Sequence, residues 1–118
     1  MTVSTSIAFR DTGEGLRHVS LSGRLDIAGT EAIAAELATL CTTAQRGVVL
    51  DLTAVSFISS IGIRALVTSA KSREQRGGKL ALVVAGDSNI ARILETTGVD
   101  LIIPMFANAA EADAAVAG

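Results

Sequence analysis

The stretch Val48–Ala70, VVLDLTAVSFISSIGIRALVTSA, decides how the rest of the chain is read. Val48, Val49 and Leu50 form a continuous apolar run that ends in Asp51, the pattern of a buried strand rather than a half-exposed one. Ile63, Leu66, Val67 and Ala70 recur at the spacing of one helix face. Between strand and helix lies Phe57-Ile58-Ser59-Ser60-Ile61-Gly62, and its two adjacent serines at the mouth of a helix are the only local chemistry the sequence offers.

Geometry separates the two serines. For a helix regular from about Ser60, turning roughly 100° per residue, the centre of the apolar face lies close to the direction of Ser59. Ser60 lies roughly 75° away, beside Arg64 and Lys71. Ser59 therefore looks inward and fits an N-cap, its hydroxyl accepting from an unpaired N–H of the first turn. Ser60 is left as the accessible hydroxyl. A helix N-terminus carries free N–H groups and a partial positive charge, so a phosphate on Ser60 is compatible with the fold and would act on whatever docks there. Read from these residues alone, a pair of serines that only caps a helix is the plainer alternative.

The 118 residues suit one domain that buries roughly two thirds of its unfolded surface. The composition is globular, with 49% hydrophobic and 19% charged residues, 11 glycines and one proline. Mean hydropathy is +0.50, yet the longest uncharged run, Leu52–Ile63, is too short to span a bilayer. Met1–Phe9 lacks a basic segment followed by an apolar core, so a cytoplasmic location is expected. The single cysteine, Cys41, agrees with a reducing compartment and falls on the apolar face of a helix as a core residue. A net charge of −2 and only three aromatic residues argue against a nucleic-acid surface.

Thr5–Asp11 and Arg17–Gly23 read as an antiparallel hairpin about the turn Thr12-Gly13-Glu14-Gly15. Ile7 and Phe9 alternate in the first strand, Val19 and Leu21 in the second, giving each one apolar face. His18 has the opposite phase and is expected to be solvated. It has no partner pattern for a metal site. After the glycine-punctuated exit Gly23–Gly29 comes a helix carrying Ile33, Leu37, Leu40, Cys41 and Ala44, with Glu31 near its start complementing the dipole, and Arg46-Gly47 end it.

Beyond the central stretch, Gln75-Arg76-Gly77-Gly78-Lys79 stops the second helix, and Leu80–Ala85 is a second apolar strand. Asp87 or Ser88 caps a third helix with Ile90, Ile93 and Leu94, which Gly98 ends. Leu101, Ile102 and Ile103 are expected to form the last strand, before Pro104. The alanine-rich tail from Asn108 is expected to be helical, packing on the sheet or fraying. Alternation of strands and helices after a hairpin predicts an α/β fold with a mixed sheet, parallel where helices cross over. The loops holding Asp26 and Ser60 both follow strands and belong to one end of such a sheet.

The chain resembles the STAS domain family, and within it the bacterial anti-sigma factor antagonists. The likeness rests on Gly23-x-Leu25-Asp26, Val49-Leu50-Asp51-Leu52, Phe57-Ile58-Ser59-Ser60-Ile61-Gly62-Ile63-Arg64, Arg76-Gly77-Gly78 and Thr97-Gly98-Val99, in that order and spacing. It implies one STAS domain over residues 1–118, with 108–118 as its C-terminal helix. It further implies that the unphosphorylated protein binds an anti-sigma factor that is also a serine kinase, freeing a sigma factor. Phosphorylation breaks that complex, and a metal-dependent phosphatase restores it.

Matched by position, the phosphoacceptor is Ser60, and Asp26, Ser59, Ser60, Gly62 and Arg64 fall on the partner-binding face, where Asp26 would either cap its loop or contact the kinase and Ser59 would be mainly structural. Arg64, one turn after Ser60, would pair with the phosphate or the partner, or be simply solvated. Gly62 would let a partner or a neighbouring loop approach its backbone. Sporulation-type members have Asp-Ser-Ser-Gly where this chain has Ser59-Ser60-Ile61-Gly62, which leaves the identity of the kinase open. No enzyme activity, cofactor or metal is expected: no catalytic triad can be assembled, and Gly77-Gly78-Lys79 lacks the longer phosphate-loop pattern and precedes a strand. The competing reading is a non-switching STAS subunit of a lipid-transport or stress-signalling scaffold complex.

Overall fold

Two long parallel strands carry the fold, β2 at Arg17–Leu25 and β3 at Val48–Ile58. The computed structural model describes residues 5–117. β1, Ser6–Asp11, pairs antiparallel with β2, while β4, Leu80–Val83, and β5, Met105–Phe106, extend the sheet in parallel beyond β3. The strand order is β1-β2-β3-β4-β5. Helices α1, Ile27–Thr43, α2, Ser60–Gln75, α3, Asn89–Thr96, and α4, Ala109–Ala117, alternate with the strands after the hairpin. The result is the α/β domain with a mixed sheet that the alternation predicts.

One sheet face carries Val19, Leu21, Leu50, Leu52 and Leu82 against Ile33, Leu37, Leu66 and Leu94 of the first three helices. On the other face Val49, Ala81 and Val83 pack against Ala112 and Val116 of α4. Covering both faces is what makes Val48–Leu50 and Leu80–Val83 continuous apolar runs. It also settles the tail, which packs on the sheet. His18 is consequently not a free surface residue. It lies under α4, its Nε2 2.7 Å from Asp113 Oδ1 and its Nδ1 3.3 Å from Arg10 Nη2.

β3 runs well past the expected apolar run because it opposes β2 with two register shifts, one between Ser20 and Ser22 and one between Gly23 and Arg24. Each inserts an extra residue on β3, so the inward residues step from Val48, Leu50 and Leu52 to Val55 and Ile58. The period-two pattern is lost, although the strand continues.

Three other expectations need correction. α1 starts at Ile27 rather than after Gly29, because the Asp26 carboxylate accepts from Gly29 N–H at 2.8 Å; Glu31 therefore lies beyond the first turn. The last strand is Met105–Phe106, not Leu101–Ile103: Val99–Leu101 is a 3₁₀ turn entered through Gly98 at φ 81°, and Leu101 is 87% exposed. β5 is placed by carbonyls, with Leu82 N–H donating to Pro104 O at 2.9 Å and Val84 N–H to Phe106 O at 3.0 Å, so the missing proline N–H is not needed there. Phe9, read with Ile7 as the apolar face of its strand, is 51% exposed at the sheet edge with the Arg17 guanidinium 5.0 Å above its ring.

The packing of α2 is also rotated from its apolar face. Ile63, Val67 and Ala70 are only partly buried, whereas Gly62, Leu66, Ser69 and Arg73 are buried along the side facing α1. Arg73 Nη1 donates to the carbonyls of Ala44 at 2.5 Å and Cys41 at 3.3 Å, satisfying orphan groups at the C-terminus of α1. Cys41 is fully buried beside it, and burial pushes its thiol pKa up.

Candidate functional site

Parallel pairing sets Leu25 beside Ile58 at the ends of β2 and β3. Each strand passes into a helix through a single residue, Asp26 before α1 and Ser59 before α2. Both residues have extended backbone and cap the helix that follows, so two helix N-termini open side by side at one end of the sheet.

Ser59 is fully engaged. Its hydroxyl donates to Leu25 O at 2.7 Å and accepts from Gly62 N–H at 3.4 Å, while its backbone N–H reaches the same Leu25 carbonyl at 2.9 Å. Gly62 is buried against this joint. A Cβ there would meet Ile58 Cγ1 and the Leu25 carbonyl, each at 2.9 Å, so the glycine admits a neighbouring strand end rather than an outside partner. Ser60, one residue on, is exposed, and no hydrogen bond to its side chain is found among the described residues. It stands in the first turn of a 16-residue helix, where N–H groups lack intrahelical partners.

Around Ser60 the surface mixes charge and apolar area. Arg64 is exposed one turn further along α2 and makes no ion pair among the described residues. Asp26 takes Arg24 Nε at 3.6 Å, and the Arg24 guanidinium lies 4.3 Å over the Phe57 ring. Ile27, in the first turn of α1, is 64% exposed. Between α1 and α2 runs an apolar groove of about 230 Å³, lined by Ala34, Ala38, Ile61, Arg64 and Ala65 among others, so it begins at the residue next to Ser60.

The structure thus brings Asp26, Ser59, Ser60 and Arg64 to one end of the sheet and leaves Gly62 beneath them. Arg24 and Phe57 are part of the same surface but escape a reading of the sequence. They are cross-strand partners only after the register shifts of β3, so no spacing along the chain could have linked them.

The STAS domain family matches residues 11–112 of the chain. BtrV of Bordetella bronchiseptica, named as a candidate anti-sigma factor antagonist, is 35% identical over 105 residues, 89% of each protein. A crystal structure of an anti-sigma factor antagonist from Mycobacterium paratuberculosis superposes with a TM-score of 0.87 at 23% identity, covering 100% of both chains. The anti-sigma factor antagonist SpoIIAA in its unphosphorylated form gives 0.73 at 16% identity, over 93% of this chain and 96% of that one. At these identities the two solved structures share the fold, while the family match covers most of the chain. The protein belongs to the STAS domain family.

Proposed function

We propose that the protein is an anti-sigma factor antagonist whose partner-binding surface is the Ser60 end of the sheet. The observation that carries this reading is the division of labour between the two serines. Ser59 spends its hydroxyl on the Leu25 carbonyl and the Gly62 N–H, while Ser60 presents an uncommitted one beside the apolar groove. The name of the Bordetella relative supports it, as does SpoIIAA, which has been solved in phosphorylated and unphosphorylated forms.

In this reading the unphosphorylated protein occupies an anti-sigma factor that is also a serine kinase, and a sigma factor is released. The kinase transfers the γ-phosphoryl group of ATP to Ser60 Oγ; the hydroxyl proton is lost and ADP leaves. The phosphate adds about −1.5 to −2 charges at neutral pH. At a packed interface that charge is desolvated without a partner, so the complex dissociates. A metal-dependent phosphatase hydrolyses the phosphoserine and resets the switch. The chain itself supplies the acceptor and the docking surface, with no catalysis and no cofactor of its own, and works in the cytoplasm with the sigma factor it frees.

The test is a capture experiment from the native cell extract with wild type, Ser60→Ala and Ser60→Asp as baits, read by mass spectrometry. An ATP-binding serine kinase of the anti-sigma type retained by the first two and lost with the third is the expected result. A non-switching subunit of a lipid-transport or stress-signalling scaffold would instead capture the same proteins with all three.

A further inference from the structure

The two edges of the sheet are managed differently. β5 has two residues and follows Pro104, the kind of edge that resists further pairing. β1 has six residues, Ser6–Asp11, without proline, glycine or bulge, and among the described residues no strand pairs with its outer side. The half-exposed Phe9 lies on this unprotected edge.

The hydrogen-bond phase of β1 follows from both of its neighbours. Thr12 N–H donates to Leu16 O at 2.8 Å across the hairpin, while Arg17 N–H turns away from β1 to Gly47 O at 2.9 Å. Even-numbered residues of β1 therefore bond to β2, and Ile7, Phe9 and Asp11 aim their N–H and C=O groups outward. Ile7 and Phe9 share the face of their cross-strand partners Leu21 and Val19.

We propose that β1 is a homodimer edge: two copies of this chain pair antiparallel through it, with the two-fold axis at Ala8, into one continuous sheet. In that register Ile7 faces Phe9 of the second copy and Phe9 faces its Ile7, both in hydrogen-bonded positions. On the opposite face the small Ala8 meets its own copy and Arg10 meets Ser6. Asp11 lies across from Thr5, so no like charges oppose one another. Centring on Phe9 would set Ile7 against Asp11, and centring on Ile7 would set Phe9 against Thr5. Only the Ala8 register matches apolar with apolar throughout. The axis is normal to the sheet, so the Ser60 ends point in opposite directions and both stay free. The dimer therefore stands apart from the phosphorylation reading.

The non-hydrogen-bonded pair at the axis provides the test, since its Cα atoms would lie about 4.5 Å apart, within disulfide range. Cys41 is fully buried, so Ala8→Cys supplies the accessible thiol. Sedimentation equilibrium at about 100 μM, which fills an interface of micromolar Kd, is expected to give twice the monomer mass for wild type and for Ser60→Asp. Phe9→Lys, at a half-exposed edge position and with its fold checked by circular dichroism, is expected to give the monomer mass. Under mild oxidation Ala8→Cys is expected to form a covalent dimer faster than a control cysteine at the exposed Glu36. A monomeric wild type, a dimer unaffected by Phe9→Lys, or cross-linking of Ala8→Cys no faster than the Glu36→Cys control would each overturn the proposal.

Discussion

The carbonyl of Leu25 accepts twice from Ser59, from its backbone N–H at 2.9 Å and from its hydroxyl at 2.7 Å. This joint ties the end of β2 to the start of α2 and fixes which of two adjacent serines faces solvent. Ser59→Ala removes the hydroxyl half of the joint together with the N-cap. It is expected to lower stability by about 1 kcal/mol, read from urea unfolding, while phosphate incorporation continues at Ser60.

Gly62→Ala tests the same joint from the other side. The new Cβ would stand 2.9 Å from a backbone oxygen that cannot swing away, so β2 and α2 must separate. Overpacking of this kind costs about 1–3 kcal/mol. A variant as stable as wild type in urea would show that the joint is looser than its geometry indicates.

Two arginines of α2 should behave oppositely. Arg73 is 3% exposed and caps the C-terminus of α1, so Arg73→Met is expected to destabilise the fold by about 2 kcal/mol. Arg64 is exposed and unpaired among the described residues. Arg64→Met is expected to change stability by less than about 0.5 kcal/mol and to weaken capture of the partner. Equal effects of the two substitutions on stability would contradict the assignment.

Burial raises the Cys41 thiol pKa above its unfolded value. An acid whose folded pKa is raised contributes stability that is full below its unfolded pKa, about 8.5, and is lost as pH rises through the folded one. Wild type is therefore expected to lose stability relative to Cys41→Ala between neutral pH and the alkaline range. Chemical denaturation of both proteins across that range checks the sign. In the native state at neutral pH the thiol should not react with a disulfide reagent that labels it in urea.

Much of the architecture is legible in the chain because local signals agree. Val48–Leu50, Leu80–Val83 and the Ser59 and Ser88 caps each specify their element. The misreadings arise where tertiary contacts replace local rules. The bulges of β3 hide residues 52–58 from a period-two search, and Gly29 reads as the end of a loop before the helix although it lies inside α1, packed closely against the Arg24 carbonyl. Leu101 and Ile102 look like a strand by hydropathy, but the sheet bonds from the Pro104 carbonyl onward instead. At the site, Ser59, Ser60 and Asp26 could be placed from helix geometry and strand ends. Arg24 and Phe57 could not, because their contact depends on a shifted register.

The most direct measurement maps phosphate on the protein after incubation with ATP and the serine kinase captured from its native extract. Peptide mass spectrometry should find one phosphate on Ser60, none on Ser59, and no incorporation into Ser60→Ala. Phosphate on Ser59, or undiminished incorporation into Ser60→Ala, would contradict the account.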